Sequence, residues 1–148
     1  MQFLYNIAIF LLGIVMKSAA LFHPKAKEWI KGRQNFFREL PDVNNNEVVW
    51  FHCASLGEFD QGLPLMEKLK KQRPNIFLLV TFYSPSGMNH YHKRNHPADY
   101  VCYLPLDTPA NANKFVQYFK PTQAFFVKYE FWSNYIFSAK KNGTILFN

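Results

Sequence analysis

Two glutamates stand where a carboxylate could act as a base. Glu58 lies in Ala54-Ser-Leu-Gly-Glu-Phe59 and Glu130 in Lys128-Tyr-Glu-Phe-Trp132, each directly after an apolar run. A carboxylate held beside a hydroxyl can accept its proton as the oxygen attacks an electrophile. Both positions also have architectural readings. Ser55-x-x-Glu58 is a capping box, in which the glutamate satisfies a backbone N–H at a helix start. Lys128 and Glu130 also read as an ion pair opening a helix, with Tyr129 and Trp132 packed around it. Gly57 leaves room for a substrate or another backbone to come close. A third turn, Ser84-Pro-Ser-Gly87, offers Ser84 and Ser86 hydroxyls and free N–H groups to an anion. Neither a GxGxxG fingerprint nor a Walker lysine is present, so no nicotinamide cofactor or P-loop nucleotide is indicated. His90, His92 and His96 cluster without CxxC or HExxH spacing, which favours solvated histidines over zinc and predicts no metal.

The elements that must hold these residues alternate in type. Val48–Cys53, Ile76–Tyr83, Tyr100–Leu104, Ala124–Lys128 and Thr144–Phe147 read as strands, with helices over 58–72, 85–95, 109–119 and 131–141 between them. Near-continuous apolar strands alternating with helices predict an α/β, Rossmann-like parallel sheet covered on both faces. Ligands bind such a sheet beyond the carboxyl ends of its strands, where the strand order reverses. An order of 3-2-1-4-5 would put that crevice between the first and fourth strands, at the loops that carry Glu58 and Glu130. The sequence stops just after the fifth strand, where a doubly wound domain normally continues, so an incomplete domain is expected.

Ahead of this domain, residues 3–22 are apolar over about the 20 residues that a membrane helix needs, with Lys17 near the end. A signal peptide carries its positive charge before the apolar stretch. Here Lys25, Lys27, Lys31, Arg33 and Arg38 follow it, which favours a retained anchor with the rest of the chain in the cytoplasm. A cleaved signal and a buried core helix are the rival readings. Residues 24–40 read as a basic amphipathic helix, either lying on anionic lipid or packed on the domain. The polar stretch Pro41–Asn46 reads as a linker. The organisation expected is therefore an anchor over 1–22, a basic juxtamembrane segment over 23–46 and the Rossmann-like domain over 47–148. The formal charge of +7 calls for anionic partners without choosing among nucleic acid, phosphorylated lipid and a membrane surface. Cys53 and Cys102 form no disulfide framework and favour a reducing compartment.

Taken in order, Trp50-Phe-His-Cys-Ala-Ser-Leu-Gly-Glu-Phe-Asp-Gln-Gly62, Thr81-Phe-Tyr-Ser-Pro-Ser-Gly87, Ala98-Asp-Tyr-Val-Cys-Tyr-Leu-Pro-Leu-Asp-Thr108 and Phe126-Val-Lys-Tyr-Glu-Phe-Trp132 resemble the N-terminal domain of bacterial 3-deoxy-D-manno-octulosonic acid (Kdo) transferases. Ser133-Asn134 stands where Pro-Asn is common in that family. The resemblance implies a GT-B glycosyltransferase of lipopolysaccharide biosynthesis at the cytoplasmic face of the inner membrane. Its N-terminal half would meet a lipid A precursor, and a second domain outside these residues would hold CMP-Kdo. It implies Glu58 as general base, Glu130 as transition-state stabiliser, and substrate contacts from Ser55, Gly57, Ser84, Ser86, Gly87 and Lys128. No cofactor and no nucleic acid are implied. Two alternatives remain at this stage: a GT-B transferase with another sugar-nucleotide donor, and a non-catalytic membrane-tethered binding domain.

Overall fold

Strands β1 (Val48–Cys53) and β2 (Phe77–Phe82) are buried at every position, as strands covered on both faces must be. They form the centre of a five-stranded sheet with β3 (Tyr100–Tyr103), β4 (Gln123–Phe126) and β5 (Ile145–Phe147). The order is β3-β2-β1-β4-β5 and every pairing is parallel, the arrangement expected from the sequence. The computed structural model describes residues 1–44, 46–128 and 131–148. Glu130 and Tyr129 lie outside the described residues.

Period-two alternation along each strand divides the core in two. Val48, Trp50, Leu79 and Ala124 point to one face, where α5 (Pro109–Phe119) and α6 (Ser133–Lys141) cover them with Phe115, Phe119 and Tyr135. Val49, Phe51, Leu78 and Val80 point to the other, beneath Phe59 and Met66 of α3 (Leu56–Gln72). Register at the β2–β3 edge is pinned by Asp99. Its carboxylate accepts from Leu78 N at 2.7 Å and pairs with Lys70 at 2.7 Å.

Two predicted helices are shorter than expected. The segment 85–95 resolves into α4 (Pro85–His90) and a 3-10 turn, Tyr91–Lys93. The segment 24–40 becomes α2 (Pro24–Lys31), a bend, and a 3-10 turn at Phe36–Arg38. Gly32, at this bend, lies against the Tyr103 ring: a Cβ there would stand 2.1 Å from it, so the close approach needs glycine. The first part of this segment packs on the domain, with Trp29 only 4% exposed.

Helix α1 (Gln2–Ala19) is the one described helix long and apolar enough to cross a membrane. It also carries a polar stripe, and that stripe is docked. Gln2 donates to Asn134 Oδ1 at 2.8 Å and accepts from the Ser133 hydroxyl at 2.7 Å. Tyr5 donates to Asp107 Oδ2 at 2.5 Å, and Asn6 accepts from Asn134 Nδ2 at 2.9 Å. Further along the same face, Gly13 lies against Leu106. The opposite face, with Phe3, Leu4, Phe10, Leu11, Ile14 and Val15, is exposed.

Candidate active site

The loops after β1, β2 and β4 meet at the carboxyl end of the sheet. Val127 N donates to His52 O at 3.0 Å, and Ser84 N to Ala54 O at 2.9 Å. Chain turns that are distant in sequence are thereby fixed side by side, with β1 in the middle.

Glu58 stands at the third position of α3, after the N-cap Ser55. Its side chain folds back over the start of the helix, 9% exposed. Oε2 accepts the backbone N–H of Ala54 and, at 3.3 Å, that of Ser55. The capping reading is therefore realised. It occupies one oxygen only: among the described residues Oε1 has no hydrogen-bond partner. Beside it, Gly57 is exposed, and a Cβ built there would have no atom within 4 Å. A buried carboxylate with one unengaged oxygen next to an open backbone position can receive a proton from a hydroxyl laid over Gly57. The Cys53 thiol is pushed up by burial and then by the Glu58 charge, and so stays protonated at the end of β1.

Beneath this loop lies a buried polar cluster. Thr81 Oγ1 accepts from Trp50 Nε1 at 2.8 Å and is 2.9 Å from His52 Nδ1. Burial, followed by the Arg33 charge, lowers the His52 pKa to about 3, so its imidazole is neutral at physiological pH. Trp132 stands at right angles to that ring, with centroids 5.2 Å apart, and touches Tyr83 at 4.8 Å. His52 and Trp132, the latter at the end of the loop that follows β4, thus pack against each other. In that loop Lys128 is exposed and takes a left-handed conformation, φ 66°. A non-glycine residue held there at the end of a parallel strand is uncommon and frequent at functional sites.

The turn after β2 is less open than its sequence suggests. Ser84 Oγ and Ser86 Oγ lie 2.8 Å apart and bond each other. Gly87 is buried, and a Cβ there would meet the Phe82 ring at 2.1 Å. Its lack of a side chain is therefore required by packing, whatever passes over the turn.

Three residues that sequence reasoning did not single out shape the same edge. Arg33, read only as one of the basic residues of 24–40, is half-buried over the ends of β2 and β3. Its guanidinium donates to Leu104 O at 2.8 Å, Tyr83 O at 2.7 Å and Trp29 O at 3.1 Å. It lies 3.8 Å from the Trp29 ring centroid and 4.7 Å from that of Tyr103. Asp107 is fully buried after β3. It accepts from Tyr135 N at 3.1 Å, from Asn134 N at 3.3 Å and from Tyr5, capping α6 and fastening α1 at once. Tyr5 completes that junction. The signal for Asp107 was the Leu-Pro-Leu-Asp-Thr run itself, read as a family mark rather than as a cap. Nothing local distinguishes Arg33 from its basic neighbours.

The family model for 3-deoxy-D-manno-octulosonic-acid transferase matches residues 28–148. The chain belongs to the Kdo transferase family. Among curated Kdo transferases, that of Aquifex aeolicus is 31% identical over 107 residues, covering 72% of this chain and 30% of the relative. That of Chlamydia muridarum is 30% identical over 130 residues, covering 86% and 30%. A bifunctional glycosyltransferase/methyltransferase of Fusobacterium nucleatum is 26% identical over 132 residues, covering 85% and 20%. The chain thus spans less than a third of the length of these relatives. The described substrate-contact candidates fall on the loops at the carboxyl ends of β1, β2 and β4 or in the first turns of α3 and α4 that follow them.

Proposed function

We propose that this chain is the acceptor-side half of a Kdo transferase of lipopolysaccharide biosynthesis, with Glu58 as the general base. The observation that carries this is the unengaged Oε1 of Glu58 beside the open Gly57. A hydroxyl of the lipid A precursor approaches over Gly57. Its oxygen bonds to C2 of Kdo as the bond from C2 to the CMP phosphate oxygen breaks on the opposite face, inverting the centre. The hydroxyl proton passes to Oε1, and CMP leaves with the electron pair. Because two N–H groups already hold the charge on Oε2, proton transfer accompanies attack rather than preceding it. Glu130 stabilises the transition state, and Lys128, Ser55, Ser84 and Ser86 line the approach of the substrate. The CMP-Kdo site belongs to the second GT-B domain, outside these 148 residues, so this chain alone transfers no sugar.

The acceptor is a membrane lipid, and α1 brings the enzyme to it at the cytoplasmic face of the inner membrane. Crossing the bilayer upright would remove Gln2, Tyr5 and Asn6 from their partners and leave buried Asp107 short of a donor. The helix instead lies along the domain with its apolar face in one leaflet, as interfacial helices do.

The deciding experiment is Glu58→Gln in an enzyme that carries both halves, assayed with CMP-Kdo and the lipid acceptor alongside thermal unfolding. Glutamine keeps the capping oxygen and cannot accept the proton. Turnover should fall on the order of 10²–10⁴-fold while stability stays within about 1 kcal/mol. Near-normal turnover would reduce Glu58 to a cap. Separately, removing residues 1–22 should move the protein out of the membrane fraction.

A further inference from the structure

The polar face of α1 meets one short stretch of chain. Gln2, Tyr5 and Asn6 recur at the spacing of a single helix face. Gln2 accepts from the Ser133 hydroxyl at 2.7 Å and donates to Asn134 Oδ1 at 2.8 Å. Asn6 accepts from Asn134 Nδ2 at 2.9 Å. The Tyr5 hydroxyl donates to Asp107 Oδ2, and its oxygen lies 3.4 Å from Phe131 O. Apart from Asp107, these partners all fall within residues 131–134, the end of the loop after β4 and the start of α6.

Packing alone does not fix that stretch. Trp132 is buried against His52 and Tyr83, but the Phe131 side chain is 74% exposed. Trp132 also occupies the N-cap of α6 and has no side-chain oxygen to offer the helix, so Asp107 takes the Asn134 and Tyr135 N–H groups instead. Asn134 N and the Tyr5 hydroxyl meet on the same oxygen, Oδ2. The cap of α6 and the docking of α1 are therefore one junction. At the other end of the loop, Val127 N donates to His52 O at 3.0 Å, and Lys128 is held left-handed at φ 66°. Such a conformation persists only where the surrounding structure imposes it. Here β1 supports one end of the loop and the junction of α1 with Asp107 supports the other.

The sequence puts both Lys128 and Glu130 in this loop. We propose that Gln2 and Tyr5 are positioning residues for sugar transfer: bonded to Ser133, Asn134 and Asp107, they fix how the loop after β4 is placed at the carboxyl end of the sheet. The inference deepens the reading that this loop serves transfer, and rests on it. One helix thereby has two tasks on opposite faces. Phe10 and Leu11, 65% and 53% exposed, face away from the domain, while the polar stripe sets the loop. An anchor alone needs no such stripe, since membrane affinity of an interfacial helix comes from its buried apolar area and its attraction to anionic lipid.

The test combines Gln2→Ala with Tyr5→Phe. In this chain in non-ionic detergent, hydrogen exchange read by peptide mass spectrometry should be at least about tenfold faster over residues 128–136 and unchanged in β1 and β2. In an enzyme that carries both halves, assayed with CMP-Kdo and acceptor dispersed in detergent, kcat should fall about 10–100-fold while KM for the acceptor changes by less than about threefold. Detergent takes delivery to a bilayer out of the assay, so an α1 that only anchors would lose nothing there. Phe10→Ser with Leu11→Ser, on the exposed face, should lower the membrane-bound fraction and leave loop exchange as in the parent. Should the Gln2/Tyr5 pair also lose protection in β1 and β2, Tyr5→Phe alone is read against the same two outcomes. Unchanged loop exchange, unchanged kcat, or equal loosening by the Phe10/Leu11 pair would each overturn the positioning role. Glu58→Gln should lose turnover with parental loop exchange. Near-normal turnover in that variant therefore sinks the general base alone, and parental loop exchange in the Gln2/Tyr5 variant sinks the positioning role alone.

Discussion

The loop after β1 and the loop after β3 each place a buried carboxylate over the start of a helix, and the two carboxylates are used differently. Asp107 accepts three bonds shared between both oxygens: Tyr135 N on Oδ1, with Asn134 N and the Tyr5 hydroxyl on Oδ2. Glu58 accepts two, both on Oε2. Saturation makes Asp107 a joint between β3, α6 and α1. Partial use makes Glu58 a cap with one oxygen left unengaged. The surroundings agree. Gly57 is open beside Glu58, whereas the edge next to Asp107 is closed by α1 and by Arg33 with its aromatic neighbours. Capping therefore leaves the proposed catalytic role of Glu58 open, because the cap engages only one of its two oxygens.

Amide replacement should give opposite outcomes at the two sites. Glu58→Gln is expected to cost mainly turnover, as set out above. Asp107→Asn should cost mainly stability. Whichever way the amide turns, its NH₂ faces at least one buried backbone N–H that it cannot accept from, a loss of about 2 kcal/mol, read as a lower denaturation midpoint with unchanged m. Stable Asp107→Asn protein would break the comparison.

Acid and base should also act oppositely on the two edges. His52, under the Glu58 loop, has a folded pKa of about 3 against an ordinary 6.5. The unfolded chain therefore binds the extra proton in that window, and stability falls as pH drops through it, by about 1.4 kcal/mol per unit at most. His52→Asn should flatten that limb of a stability-pH profile. Burial raises Asp107 instead. Its contribution is full below the ordinary carboxylate range and is lost as pH rises through its raised value. Asp107→Asn should remove that fall.

The two glycines sharpen the contrast between open and closed turns. Gly87→Ala drives a Cβ into the Phe82 ring and should destabilise by about 1–3 kcal/mol. Gly57→Ala meets nothing and should stabilise slightly, by up to about 1 kcal/mol as a helix substitution. If a substrate crosses Gly57, the same variant raises KM for the acceptor. A comparable effect is expected from Tyr5→Phe, a loss of about 1 kcal/mol of stability, measured by thermal unfolding in detergent.

Much of this was determined by the sequence alone. Strand-helix alternation and fully apolar strands point to a covered parallel sheet, and the order found is the common 3-2-1-4-5 expected for such a sheet. The position of Glu58 at a helix start was legible because Ser55 and Glu58 form a local motif three residues apart. The motifs also carried the family. Local pattern left undecided what long-range partners would do. Arg33 and Arg38 look alike in sequence, but only Arg33 meets the carbonyls of Tyr83 and Leu104, 50 and 71 residues away. Asp107 becomes a joint because α1 and α6 converge on it across 102 and 28 residues. Gly87 reads as an anion-binding turn until the Phe82 ring is placed against it. Even the apolar α1 conceals its docking, since Gln2, Tyr5 and Asn6 acquire meaning only when Asn134 and Asp107 are brought beneath them. Periodicity and capping are written within a few residues of chain. Burial of a charge and the sharing of a carboxylate depend on which distant surfaces the fold brings together.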